Sequence, residues 1–265
     1  MSNIKNILYD IFANIRNRHV TDEGSSSPLD IKIFVFQHFP CVLPNAFADR
    51  SIYTPLWCGA SLAKDHIDGL RDDAGTNISA YNPYLNEMTG IFWVAENLSS
   101  LGNPQFIGFN HYRRHLEWAH RIICEGTIVA TSVTIPQRIR SWLLSVVPSP
   151  DIASTLNDIT TTLVNDGHHD IVDYLKSHIM YARNMFIMDR ATFLRYYAFV
   201  RQYIKLFINR IEENKPAFES QPAAQKRLYG YLLEQLTSYW IWHEKRTSQS
   251  KVITTYVHDY HVNRA

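Results

Sequence analysis

Six consecutive residues, Asn110-His111-Tyr112-Arg113-Arg114-His115, form the densest group of chemically capable side chains in this 265-residue chain. They follow Phe106-Ile107-Gly108-Phe109, a short apolar run with the composition of a strand. In an open α/β sheet, ligands bind beyond the carboxyl ends of the strands. A strand running out into His111, Tyr112, Arg113 and Arg114 therefore aims cationic donors at such a crevice. Guanidinium forks match pairs of phosphate oxygens and keep their charge at any relevant pH. The competing reading is a set of surface ion pairs with nearby acids, and composition alone leaves both open.

A second polar cluster is Arg71-Asp72-Asp73-Ala74-Gly75-Thr76-Asn77-Ile78-Ser79, followed by Asn82-Pro83-Tyr84 and Glu87. Its turn formers predict a loop leading into a helix. Asp72, Asp73, Asn77 and Asn82 suit ribose or sugar hydroxyls, and the adjacent acids Asp72 and Asp73 offer a place for Mg²⁺ or Mn²⁺. A solvated loop with an ordinary helix cap explains the same residues. Asn184, ahead of Met185-Phe186-Ile187-Met188, and Glu234, within Tyr231-Leu232-Leu233-Glu234-Gln235-Leu236, carry little meaning in isolation. His168-His169-Asp170 lacks a third ligand at metal-binding spacing. Cys41, Cys58 and Cys124 are scattered without a CxxC pair, which points to a reduced compartment and to neither zinc nor a disulfide framework.

The elements that must position these residues follow from periodicity. Residues 31–36, 106–109 and 184–188 read as strands, and residues 86–98 as a helix burying Met88, Ile91, Phe92 and Ala95. Helices are predicted over 191–213 and from 223 to about 245. Strands separated by helices imply an α/β domain with a largely parallel sheet and a helical C-terminal third. Ahead of it, Ile4, Ile7, Leu8, Ile11, Phe12 and Ile15 recur at helical spacing in residues 1–20, and residues 21–30 read as a linker, leaving 31–265 as the main domain.

The formal net charge of +1 gives no global field toward nucleic acid, and the basic residues form no aromatic-basic stripe. No apolar run approaches the roughly 20 residues of a membrane span, and the start lacks the core of a signal peptide. The expectation is a cytoplasmic protein. Arg138, Arg140, Trp142, Leu143 and Leu144, or the stretch from Arg195 to Arg210, could provide a basic-apolar edge for peripheral contact with the inner membrane. Ordinary core-packed helices account for them equally well.

In order along the chain, several segments together resemble one family. They are His38-Phe39-Pro40, Asp72 to Ser79, Asn82-Pro83 with Glu87 and Thr89, Gly108 to Arg114, Asn184 to Met188, and Gly230-Tyr231-Leu232-Leu233-Glu234. The family comprises bacterial proteins of capsule and O-antigen gene clusters, long catalogued as a domain of unknown function and later linked to glycosyl transfer. The resemblance spans roughly residues 31–245. The family pattern has Lys at Phe39, Asp at Thr76, Lys at Tyr81, Trp at Ala95, Lys at Glu96 and Arg at Gln235, so this chain resembles a divergent member.

The resemblance implies a GT-A-like, Rossmann-type nucleotide-sugar-binding sheet flanked by helices. It also implies transfer of a sugar, galactofuranose or galactose among relatives, from a UDP donor to a glycan or lipid-linked glycan acceptor. An inverting reaction needs a base and a neutralised diphosphate. Glu234 is expected as the base, with Glu87 and Asp73 as competitors. His111, Arg113 and Arg114, beside Tyr112, are expected to replace a metal at the diphosphate. Asp72, Asp73 and Asn77 are expected on the donor, and Asn184 and Asn82 on the sugar or acceptor. No cofactor is expected unless Asp72 and Asp73 hold Mg²⁺ or Mn²⁺. The alternatives are a degenerate module that binds nucleotide or glycan without turnover, and a metal hydrolase built on His111, His115 and the paired acids.

Overall fold

The structure, a computed structural model, describes residues 29–64 and 69–262. The helix expected over residues 1–20 and most of the 21–30 linker lie outside the described residues. Strand β1 (Ile31–Gln37) opens the domain and alternates between two apolar faces. Phe34 and Phe36 enter the larger core, while Ile31, Ile33 and Val35 enter the smaller one on the other side of the sheet. Burial on both faces is why the segment reads as a nearly continuous apolar run.

Strands β2 (Tyr53–Trp57) and β3 (Leu70–Arg71) extend the sheet in parallel on one side of β1. Helices α1 (Asn82–Leu85) and α2 (Met88–Glu96) then carry the chain back to β4 (Phe106–His111), parallel to β1 on its other side. Successive crossovers in opposite directions open a crevice beyond the carboxyl ends of β1 and β4. The helix expected over residues 86–98 is present as α2, Met88–Glu96, and Asn86, at φ +55°, separates it from α1. Met88, Ile91 and Phe92 are buried as expected, and Ala95 is only partly buried.

Strand β5 (Arg114–Leu116) folds back on the end of β4. Strand β6 (Thr127–Thr134) and helices α3 (Ile139–Val146), α4 (Ile152–Asn165) and α5 (Ile171–Lys176) precede β7 (Ile179–Asp189). The three helices form an excursion that leaves and re-enters the sheet at one edge, where Ile135 N donates to His178 O at 2.9 Å. Helices α6 (Arg190–Glu213), α7 (Lys215–Ser220), α8 (Ala223–Lys226) and α9 (Leu228–Arg246) follow, then strands β8 (Lys251–Thr254) and β9 (Val257–Asp259). The strand order is β3-β2-β1-β4-β7-β6-β8, with β9 paired to β5 at the side. The sheet is therefore mixed. Only β7 on the main path runs against its neighbours, so the third strand read from the sequence is present but reversed. The helix expected from residue 223 is interrupted at Arg227.

Helices α2, α6 and α9 cover the larger core. Along α6, Phe193, Tyr196, Val200, Tyr203, Ile204 and Phe207 are buried. Its arginines pair with acids, Arg195 with Glu244, Arg201 with Glu96 and Arg210 with Asp158. The membrane edge weighed for this stretch is thus corrected to a core-packed helix. In α3, Ile139 and Leu143 are also core residues, and Leu144 is 39% exposed. No helix among the described residues is long and apolar enough to cross a membrane.

Helix α2 approaches the sheet through Gly90. A Cβ there would lie 2.6 Å from Cys58 Sγ and 2.9 Å from Phe36 Cε1, both in the packed core. Gly90→Ala gains helix propensity but must displace these groups. A net loss of about 1–3 kcal/mol of stability is expected from overpacking, read as a lower urea midpoint with an unchanged slope.

Candidate functional site

A cleft of about 530 Å³ opens at the crevice between the ends of β1 and β4. Its walls come from distant places in the chain, the first four as follows. Phe36, Gln37 and His38 end β1, and His111 to Arg114 form the β4–β5 turn. Asn82, Asn86 and Glu87 come from the α1–α2 break, and Lys226, Arg227, Tyr231 and Glu234 from the α8–α9 region. The size fits a small-molecule ligand.

Reversed strand β7 supplies the fifth contribution. Its pairing with β6 slips between Ala130 and Ser132, and within the resulting bulge Arg183 and Asn184 take φ values of +75° and +51°. Left-handed backbone at a residue with a Cβ costs about 1–2 kcal/mol, so such a pair persists only where its surroundings hold it. Here they do. Arg183 N donates to Glu234 Oε1 at 2.6 Å, His111 Nε2 donates to Arg183 O at 2.7 Å, and Asn184 Nδ2 donates to Glu87 Oε1 at 2.8 Å. The bulge thus fixes the histidine and both carboxylates of the cleft. Asn184 is itself buried, and its Oδ1 has no partner among the described residues.

Close packing holds α9 against the α1–α2 break. At Gly230 a Cβ would collide with the Asn86 amide, and Arg227 Nε donates to Asn86 Oδ1 at 2.6 Å. Asn82 is turned inward, donating to Asn86 O and Thr89 Oγ1. Tyr112 is largely buried and packs edge-on against His38 and Phe39 at the rim.

The charges are unevenly arranged. Arg113, Arg114, Arg183, Lys226 and Arg227 all line the cleft, against Glu87 and Glu234. Burial first, then the charge of Glu87, pushes the Glu234 carboxyl up to about 7, against the Arg183 amide and the nearby arginines. Burial, with Arg114 and Arg113 adding to it, holds His111 below its ordinary value despite Glu87 and the Arg183 carbonyl. Its ring is therefore neutral near pH 7, with hydrogen on Nε2 facing the Arg183 carbonyl and Nδ1 left as an acceptor. This changes the part expected of His111. It lies in the cleft, but the positive charge belongs to the arginines and Lys226.

His111, Tyr112, Arg113, Arg114, Glu87, Glu234 and Asn82 are brought to one cleft, with Asn184 bonded to Glu87 behind it. Asp72, Asp73 and Asn77 are not among its walls. Asp72 is fully buried and accepts from Gly59 N, Ala60 N and Ser79 Oγ. Asp73 pairs with Arg71 at 2.6 Å, and Asn77 bonds back to Asp73 O and Gly75 O. With Asp72 closed around backbone donors and Asp73 bound to a guanidinium, the two acids do not fit a divalent ion. No group of three or more potential metal-ligating side chains occurs among the described residues. His115 lies elsewhere, bonded to the Tyr53 hydroxyl at 2.7 Å, so it does not join His111 in a hydrolase site.

Arg183, Lys226, Arg227, Tyr231 and His38 join the site without having been singled out as site residues. One signal was available for two of them. Arg227, Tyr231 and Glu234 stand at i, i+4 and i+7, which places them on one helical face. Arg183 had no comparable signal, because nothing in its local sequence marks a bulge.

Residues 32–246 match the model of a protein family described as "Domain of unknown function (DUF4422)". Among solved structures, the chain is similar to the apo structure of the WbbM bifunctional glycosyltransferase, with a TM-score of 0.72 and 21% sequence identity. The match covers 89% of this chain and 46% of that one, so this chain spans less than half the length of the protein it resembles. The shared feature is the fold, a glycosyltransferase-like sheet flanked by helices. No curated protein matches the chain.

The raised Glu234 carboxyl has a consequence for stability. Its value near 7 in the folded state exceeds the ordinary 4.5, so between these pH values the folded protein holds a proton that the unfolded chain has lost. Stability contributed by this group is full below about pH 4.5 and is lost as pH rises through about 7. Glu234→Gln removes this slope. At pH 8 it should stabilise the protein by about 2 kcal/mol, discounted for the group's partial exposure, as read by denaturant unfolding across pH.

Proposed function

From the cleft, and from the fact that the chain belongs to the family described as "Domain of unknown function (DUF4422)", we propose that this protein is a glycosyltransferase using a nucleotide-sugar donor. One observation carries the reading: a carboxyl group with a pKa near 7 faces the same cleft as five cationic side chains, Arg113, Arg114, Arg183, Lys226 and Arg227. Sugar transfer from a diphosphate needs both parts. A base must accept the proton of the attacking hydroxyl, and positive charge must meet the departing diphosphate.

In this reading the acceptor hydroxyl oxygen forms a bond to the anomeric carbon on one face of the sugar. The bond from that carbon to the diphosphate oxygen breaks on the other face, with inversion. The hydroxyl proton passes to ionised Glu234, and the bonding electrons leave with the diphosphate. Arg113 and Arg114, with Arg183 and Arg227 nearby, neutralise that charge in place of a divalent ion. Asn184 holds Glu87 in place, and Glu87 and Asn82 contact sugar hydroxyls. A UDP-linked hexose, galactofuranose or galactose, is the proposed donor. A glycan, free or lipid-linked, in surface polysaccharide synthesis is the proposed acceptor. These assignments rest on the family resemblance and the character of the cleft.

Several departures from the family pattern support an intact site over a degenerate one. Gln235 accepts from the buried Tyr174 hydroxyl, Glu96 pairs with Arg201, and the Tyr81 hydroxyl donates to Glu212. Each has an internal partner, and none is among the cleft walls.

UDP titrated into the protein in EDTA should bind, and Arg113→Ala should weaken that binding. Binding that appears only on addition of Mn²⁺ would refute the metal-free clamp. With UDP-sugars, turnover should rise with pH through about 7 as Glu234 ionises. Glu234→Gln should lower kcat by roughly 10²- to 10⁴-fold. Near-normal turnover in that variant would remove Glu234 as the base, and UDP binding without transfer to any glycan would favour a binding module.

A further inference from the structure

The chain beyond residue 246 lies outside the stretch that the family model matches, yet it pairs with the β4–β5 turn whose arginines line the cleft. After β8 pairs with β6, the chain crosses to β5, and β9 adds to that strand as an antiparallel neighbour. Arg114, His115 and Leu116 lie opposite Asp259, His258 and Val257. Tyr260 N donates to Arg113 O at 2.8 Å, and Glu117 N donates to Tyr256 O at 2.9 Å. By contrast, β5 is joined to β4 through the single pair His111 and Arg114. The turn carrying Arg113 and Arg114 is thus held from outside by this C-terminal strap, and from inside by Tyr112 N donating to Phe36 O and Leu116 N donating to Asn110 Oδ1.

Asp259 adds a side-chain contact to the backbone pairing. Its Oδ1 lies 2.8 Å from Arg114 Nε, and its Oδ2 lies 3.7 Å from an Arg183 Nη atom. One carboxylate therefore spans two of the cleft's guanidinium groups, one from the β4–β5 turn and one from the β7 bulge. The short contact is made on Nε of Arg114. Neither of its Nη atoms makes a hydrogen bond among the described residues, and the side chain lines the cleft. A carboxylate at the inner edge of a guanidinium fixes the plane of the fork and leaves its tip for another anion. It also offsets the repulsion between Arg114 and Arg183 that would otherwise drive them apart.

We propose that Asp259 is a positioning residue: the C-terminal strap holds Arg114 and Arg183 side by side as one receptor for a diphosphate group. This rests on the reading of the cleft as a nucleotide-diphosphate site. The strap sets the geometry of the anion clamp from outside the family-matched core, and it touches neither carboxylate of the cleft.

The test is calorimetric titration of inorganic pyrophosphate, UDP and uridine into the full-length protein and into Asp259→Ala and Asp259→Glu. Asp259→Ala should weaken pyrophosphate and UDP about three- to tenfold, the scale of one partly screened charge-assisted contact. Asp259→Glu should recover most of that loss, and uridine affinity and the melting temperature should stay unchanged. Tighter pyrophosphate binding in Asp259→Ala would overturn the proposal by showing that the carboxylate competes for the clamp. Unchanged affinity would also overturn it and leave the transferase reading intact. Equal loss of uridine binding would replace it with a general structural role. If the unaltered protein bound neither pyrophosphate nor UDP, the anion site itself would fall, and the strap proposal with it.

Discussion

Strand β7 runs against the rest of the sheet, and partway along it Arg183 and Asn184 adopt backbone that residues with a side chain rarely take. The reversal matters because of where it puts them. A strand parallel to β4 would carry its amino-terminal half to the far edge of the sheet. Reversed, it brings residues 182–185 alongside the end of β4, next to His111. The left-handed pair then turns an amide toward Glu234, a carbonyl toward His111 and a side chain toward Glu87. The three hydrogen bonds hold the strained pair, and the strained pair holds the three groups. Nearly every feature of the cleft is downstream of that mutual constraint.

The electrostatics follow from the same geometry. A chain with a formal net charge of +1 has no overall attraction for anions, yet it gathers five cationic side chains at one cleft. Confining Glu87 and Glu234 among them keeps the site from becoming a featureless positive patch. Burial, and then the charge of Glu87 beside it, raises the proton affinity of Glu234. A neutral His111 adds an acceptor without adding charge. The result is a surface able to receive negative charge at one place and a proton at another.

What could be read in advance was whatever local pattern determines. The strand at residues 31–36, the strand into His111 and the long helix after Asp189 depend on apolar periodicity, and all three are present. The fold also brings Glu87, Asn184 and Glu234 together, a convergence that no local pattern determines. Asp72 shows the opposite case. An acid in a polar loop looks available, but three donors close around it, two of them backbone amides that no sequence pattern announces. The bulge at Arg183 and the strap at Asp259 were illegible for a related reason. Both are fixed by pairing with strands more than 45 residues distant in sequence, and their own neighbours give no sign of it.

The placement of β7 also sets an order of events during folding. Strands β1 to β4 are complete by residue 111, but β4 remains an open edge until residues 179–189 pair with it. The α9 carboxylate arrives later still, and β8 and β9 last. Long-range strand pairing of this kind is slow, and an unpaired edge is a point of misassociation while it waits. A nascent chain would therefore present a half-built sheet, with Phe106, Ile107 and Phe109 on its open margin, while residues 112–189 are being made. That exposure is the kinetic counterpart of a site whose parts converge from distant stretches of the chain.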